Sequence, residues 1–186
     1  TLQEMGEERA AKWLALWDPS QYLPYAKMAM LWVTGTNDSA YPLGPLQKSY
    51  RLPSGPRTLC IRVRMPHAHE PGETPEEIYA FAESILRGTA PLASVTSQGE
   101  EGNRAWVTFQ AAAPIVRAEF NYTCDQGPWK DREWRSIPAT LNATSSRASS
   151  PIPDKAAAYY FNLVDSRDLI VSSEHVTREP QVGVGL

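Results

Sequence analysis

Two short segments carry the side chains that could do chemistry. Gly35-Thr-Asn-Asp38-Ser-Ala-Tyr-Pro42 directly follows an apolar run at residues 28–34, and Pro66-His67-Ala-His69 directly follows a second run at 58–65. A carboxylate just past one strand and an imidazole just past the next suit general-base chemistry. The carboxylate fixes the tautomer of the ring, and the free ring nitrogen takes the proton of a hydroxyl nucleophile. Asp38 is the candidate acid, His69 the candidate base and His67 the alternative base. The strained Gly-x-Ser-x-Gly turn that presents a serine nucleophile is absent from the sequence. Ser54 and Ser97, the nearest serines beside glycine, read as turn residues, so the nucleophile is expected from outside this chain.

Other chemistries have less behind them. His67 and His69 alternate on an extended segment and could face one metal ion, but further ligands are needed and His175 lies far along the chain. No metal and no cofactor are expected. Thr1 could act as an N-terminal nucleophile only within sandwiched sheets that the first half does not read as. The two cysteines, Cys60 in a strand and Cys124 at a strand end, are not expected to form a bridge. Sequons at Asn37, Asn121 and Asn142 are too common a triplet to establish secretion. The net charge of −3 offers no basic patch, so no nucleic-acid partner is expected. No apolar run approaches the roughly 20 residues that span a bilayer, so no membrane partner is expected either.

The elements that must position Asp38 and the histidines follow from periodicity. Ala10, Trp13, Leu14 and Trp17 recur at helical spacing and predict an amphipathic helix over 4–17, ended by Asp18-Pro19. Residues 28–34 lack alternation and predict a strand buried on both faces, as in a parallel sheet. A short helix at 42–50 and a strand at 58–65 come next. Thr74 as N-cap, Pro75 in the first turn, Glu77 as capping-box partner and Gly88 as stop predict a helix between them. This rhythm predicts an α/β class, a partial doubly wound sheet. Beyond Leu92 the pattern becomes strands and turns. Short strands are expected at 104–109, 116–122 and 134–141. A hairpin of Tyr159–Val164 and Leu169–Ser173 should follow a small-residue loop at 143–150. The expected domains are 1–92, 93–178 as an immunoglobulin-like all-β sandwich, and a tail at 179–186.

Gly-Thr-Asn-Asp38-x-x-x-Pro42 and Met-Pro-His-Ala-His69-x-Pro-Gly together resemble the C-terminal half of serine α/β-hydrolases. The branch is the acetyl-xylan-esterase and dienelactone-hydrolase-like one, with the PhoPQ-activated pathogenicity-related proteins, some of which carry an added β-domain. The motifs cover residues 28–75. The resemblance implies that Asp38 is the triad acid and that His69 stands at the family's Gly-His position, with Ala68 in place of glycine. It also implies that the serine and the oxyanion hole lie upstream.

The expected function is therefore carboxylic ester hydrolysis by a Ser-His-Asp mechanism, with the serine outside this chain. The chain alone should be inactive and would need a complementing hydrolase half. A small ester or acetylated carbohydrate would be the substrate. Thr1-Leu-Gln-Glu-Met5 shows neither a start methionine nor a signal peptide, so a processed chain or fragment is expected. A secreted or periplasmic location is favoured. The rival expectation is a non-catalytic secreted binding or assembly module that keeps a hydrolase-like scaffold.

Overall fold

The computed structural model describes residues 4–178. Helix α1 spans Glu7–Trp17. Asp18 ends it and caps a short 3-10 turn, where the Ser20 amide donates to the Asp18 carboxylate at 2.9 Å. The face expected to pack is instead left open: no residue of α1 is buried, and Trp17 is 68% exposed.

Strand β1 (Met30–Asn37), helix α2 (Leu43–Tyr50) and strand β2 (Arg57–Pro66) form one crossover unit, with β1 and β2 parallel. Gly35 lets the strands approach closely, since a Cβ there would lie 1.8 Å from the Met65 carbonyl oxygen. A five-residue helix, α3 (His69–Glu73), precedes α4 (Glu76–Arg87), which stops at Gly88 with a left-handed φ of 68°.

Nine antiparallel strands follow among the described residues. They are β3 (Ser94–Glu101), β4 (Arg104–Gln110), β5 (Ile115–Thr123), β6 (Trp134–Pro138), β7 (Thr140–Asn142), β8 (Arg147–Pro151), β9 (Ala158–Asp165), β10 (Ile170–Ser172) and β11 (Val176–Thr177). One sheet has the order β3-β4-β8-β7. The other has β10-β9-β5-β6, with β11 also pairing β9. Their inner faces meet in a core of Val107, Phe109, Phe120, Ala148, Phe161, Leu163 and Val171. The outer face of the second sheet is covered too, because Trp134, Ala158 and Tyr160 pack on Leu43 and Ile61 of the crossover unit. Every residue of β9 is consequently buried.

This architecture corrects the expected fold class. The parallel part is a single two-stranded sheet, and no doubly wound sheet is present among the described residues. The chain is mainly antiparallel β-sandwich. The βα rhythm at 28–87 is real but describes one crossover, and one crossover does not make an open α/β sheet. Three local expectations also change. Ser97 lies in β3, not in a turn, and the small-residue stretch 143–150 contains most of β8. The expected strand 134–141 splits at Ala139, where the chain passes from one sheet to the other. Residues 1–3, including Thr1, and the expected tail 179–186 lie outside the described residues.

The crossover unit and the sandwich are joined by buried polar groups. The Ile61 amide donates to Ser172 Oγ at 2.7 Å, and Ser172 in turn donates to Asn162 Oδ1 at 2.6 Å. The Ile61 carbonyl accepts from Asn162 Nδ2 and from the Tyr160 hydroxyl, both at 3.2 Å. Side chains of β9 and β10 thus do for the outer edge of β2 what a third strand would do. Glu77 adds a second link. Expected as a capping-box residue, it is instead fully buried, accepting from Arg62 at 2.6 Å and from the Ile170 amide at 2.6 Å. Glu77→Ala leaves both donors without a partner. It is expected to destabilise the protein by about 3 kcal/mol in urea unfolding.

Candidate functional site

Asp38 and His67 leave the ends of the two parallel strands. At the end of the ladder three residues of β2 face a single residue of β1, because Gly35 pairs with Arg62 and Asn37 with Pro66. Arg64 within this bulge has φ 60°, a left-handed conformation that a non-glycine residue adopts only when its surroundings hold it there. The bulge turns the end of β2 back over the end of β1. His67 Nδ1 thereby comes to lie 3.1 Å from Asp38 Oδ2.

The carboxylate is held from its other side. Asp38 Oδ1 accepts the backbone amides of Ala40 at 2.8 Å and Tyr41 at 2.7 Å, the turn chemistry that an Asn-Asp-Ser segment favours. Asp38 is buried, whereas the His67 side chain is 49% exposed. The Tyr41 ring stands 5.5 Å from the imidazole, tilted by 55°. Beside His67 an open recess of about 370 Å3 is lined by His67, Ala68, His69, Gly72 and Glu73. In the neutral tautomer that donates Nδ1–H to the carboxylate, the free lone pair is on Nε2.

His69, the first choice of base from the sequence, does not meet Asp38. It is the first residue of α3, its side chain is fully exposed, and its Nδ1 faces Glu73 Oε1 at 3.7 Å across one helical turn. His67, the alternative, is the imidazole beside the acid. The local signal that separates them is the Glu73 four residues after His69, which reads as an i,i+4 partner on a helix. Among the described residues, Asp38 is the hydrogen-bond partner found for His67, and no serine, threonine or cysteine side chain reaches it. Ser54 Oγ donates to the Ala26 carbonyl instead. Also among the described residues, no group of three His, Cys, Asp or Glu side chains suits a metal ion. Cys60 and Cys124 are both free, and burial pushes the Cys60 thiol up to about 12.

Sequence reasoning missed the residues that support this pair. Asn37 donates through Nδ2 to the carbonyls of Lys130 and Arg132, both at 2.9 Å, and so does not stand free as a glycosylation acceptor. Asn121 is fully buried. Thr36 Oγ1 accepts the Arg64 amide at 2.8 Å. The 3-10 turn Trp129–Asp131 lies against the crossover unit, with Trp129 Nε1 3.5 Å from the place of a Cβ on Gly44.

No family model matches the chain, and no curated protein matches it. Among solved structures, the crystal structure of a family 56 carbohydrate-binding module, a β-1,3-glucan binding domain, aligns with a TM-score of 0.31 and 15% identity. That alignment covers 47% of this chain and 98% of that one. Pectate lyase PelI from Erwinia chrysanthemi, in complex with tetragalacturonic acid, aligns with a TM-score of 0.27 and 13% identity over 46% of this chain and 27% of the lyase. Neither is described as an α/β-hydrolase. The expected membership of the serine α/β-hydrolase family is corrected by the architecture itself, which is mainly antiparallel and has no doubly wound sheet among the described residues.

His175, which the sequence offered as a distant metal ligand, is buried edge-on against Trp129 at 5.3 Å, and its Nδ1 has no partner among the described residues. Burial holds its pKa down to about 4, the nearby Glu174 opposing and Arg51 and Arg132 adding to the shift. The folded state therefore binds fewer protons than the unfolded state between about pH 6.5 and 4. The stabilising effect of a neutral His175 is complete above about 6.5 and is lost as pH falls to about 4, up to about 3 kcal/mol in total. His175→Phe is expected to flatten this acid limb when unfolding free energy is measured across that range.

Proposed function

We propose that Asp38 and His67 are the acid and the imidazole of a general-base centre that hydrolyses carboxylic esters, completed by a hydroxyl nucleophile from outside residues 4–178. The observation that carries the reading is the 3.1 Å contact between Asp38 Oδ2 and His67 Nδ1, with the half-exposed ring bordering an open recess. It rests on this geometry and not on family membership, because the same constellation recurs on unrelated folds.

The roles follow from the atoms. Asp38 holds His67 in the tautomer protonated at Nδ1 and stabilises the imidazolium when it forms. Nε2 takes the proton as the incoming hydroxyl attacks the ester carbonyl, then gives it to the leaving alcohol. The two amides on Asp38 Oδ1 keep the carboxylate from turning away from the ring.

With the nucleophile-bearing polypeptide present, His67→Ala is expected to lower kcat for a small activated ester by about 10^2 to 10^4, and Asp38→Asn to do likewise. His69→Ala should leave it within twofold. Loss of turnover in His69→Ala with retention in His67→Ala would overturn the assignment.

A second reading, a binding module, has its own observation. A recess of about 360 Å3 on the outer face of the β3-β4-β8-β7 sheet is lined by Glu101, Arg104, Trp106, Asn142, Arg147 and Ser149, among others. The Arg147 guanidinium lies 4.8 Å over the Trp106 ring and pairs with Glu101. A flat ring edged by polar groups suits a sugar face. On this reading Trp106→Ala abolishes retention on an insoluble polysaccharide and no polypeptide added to the chain produces ester turnover; a wild-type chain that elutes unretarded rules it out.

A further inference from the structure

The parallel ladder is interrupted between Gly35 and Asn37 and resumes only with the pair Asn37–Pro66, directly before Asp38 and His67. One isolated pair beyond a bulge leaves the two loops in need of a second constraint. It comes from the sandwich. Asn37 Nδ2 donates to the Lys130 and Arg132 carbonyls, and Asn37 Oδ1 accepts from the Thr36 hydroxyl at 2.8 Å. The same Thr36 Oγ1 accepts the amide of Arg64, the residue with left-handed φ. Arg64 Nη2 then donates to the Trp134 carbonyl at 2.9 Å. One short segment, the end of the β5–β6 connection and the first residue of β6, thus grips both the residue before Asp38 and the bulge three residues before His67.

That segment is itself stiffened. The Trp129 and Trp134 rings stack at 6.3 Å with an interplanar angle of 16°. The Arg132 guanidinium lies 3.8 Å over Trp129, and Asp125 Oδ2 accepts the Glu133 amide at 2.6 Å. Thr36 is fully buried, so its hydroxyl has no water to turn to if the relay breaks.

The geometry points to Thr36 and Asn37 as positioning residues, through which the sandwich loop at 129–134 sets the Asp38–His67 contact. This rests on the reading of the two as an acid–imidazole pair. A hydrogen bond of 3.1 Å between side chains on two separate loops tolerates little drift, and a displacement of about 1 Å at such a contact can cost a hundredfold in rate. The sandwich is then part of the catalytic frame, not an appendage to it.

The test is long-range 15N–1H correlation spectroscopy of the histidine rings in the full chain at pH 8. His69, fully exposed and beyond hydrogen-bond distance of Glu73 Oε1 at 3.7 Å, serves as the reference in the same spectrum. Wild-type His67 is expected to be held as the Nδ1-protonated tautomer, distinct from His69. In Asn37→Ala and Thr36→Val at least half of that difference should vanish, while Thr36→Ser, which keeps the oxygen, retains it. Tyr160→Phe, which removes a buried bond to Ile61 but keeps the ring that packs on Trp134, should lower the melting temperature and leave the His67 tautomer unchanged. If Asn37→Ala does not fold, Thr36→Val carries the comparison. Retention of the wild-type tautomer in both relay variants overturns the positioning role. Loss in Tyr160→Phe as well overturns it too, since any destabilisation would then suffice. A wild-type His67 that matches His69 overturns the acid–imidazole reading itself, which separates that failure from failure of the relay.

Discussion

A strand edge inside a protein must have its amides and carbonyls satisfied, and here that requirement falls on Ile61. Its amide and carbonyl are met by Ser172, Asn162 and Tyr160, side chains from the neighbouring sheet. A two-stranded parallel sheet is marginal by itself. It becomes a fixed platform because β9 and β10 close its outer edge and Glu77 ties α4 to the same place. Tyr160, Trp134, Leu43 and Ile61 then complete an apolar layer around the polar seam. The rest of the architecture depends on this seam, since it orients the crossover unit, and with it the ends of β1 and β2, against the sandwich.

The Asp38–His67 contact is built where that platform ends. Parallel strands release their carboxyl ends on one side, so residues that follow them share an edge. The bulge at Arg64 supplies the remaining turn, and the Thr36–Asn37 relay anchors it to the loop at 129–134. The strain at Arg64 is held by two interactions, its amide on Thr36 and its guanidinium on the Trp134 carbonyl. Fold and site are thereby coupled. The sandwich buries the platform, and the platform presents Asp38 to His67.

Much of this was legible locally. The two apolar runs ending in Asp38 and in Pro66-His67, the glycine stop of α4 at Gly88 and the hairpin of β9 and β10 all follow from periodicity and turn residues. What was not legible depends on distant partners. β3 and β8 are rich in serine and small residues and become strands because β4 between them pairs both edges. Val116 reads as inward-facing by alternation, yet a bulge after Ile115 turns it out to 59% exposure. Glu77 reads as a helix cap and is a buried tertiary anchor. The family resemblance rested on two motifs that one crossover unit can carry without any doubly wound sheet. The choice between His67 and His69 turned on where α3 starts, and in a helix of five residues the His69–Glu73 spacing is the one local sign of it.

The central claim is that Asp38 and His67 are energetically coupled, and a double-mutant cycle on unfolding free energy tests it without requiring turnover or a partner. Asp38→Ala and His67→Ala, singly and together, isolate the pair from the turn that Asp38 also caps. A coupling of about 1 kcal/mol is expected for this pair, with none between Asp38 and His69. Zero coupling to His67, or coupling to His69 in its place, would contradict the account.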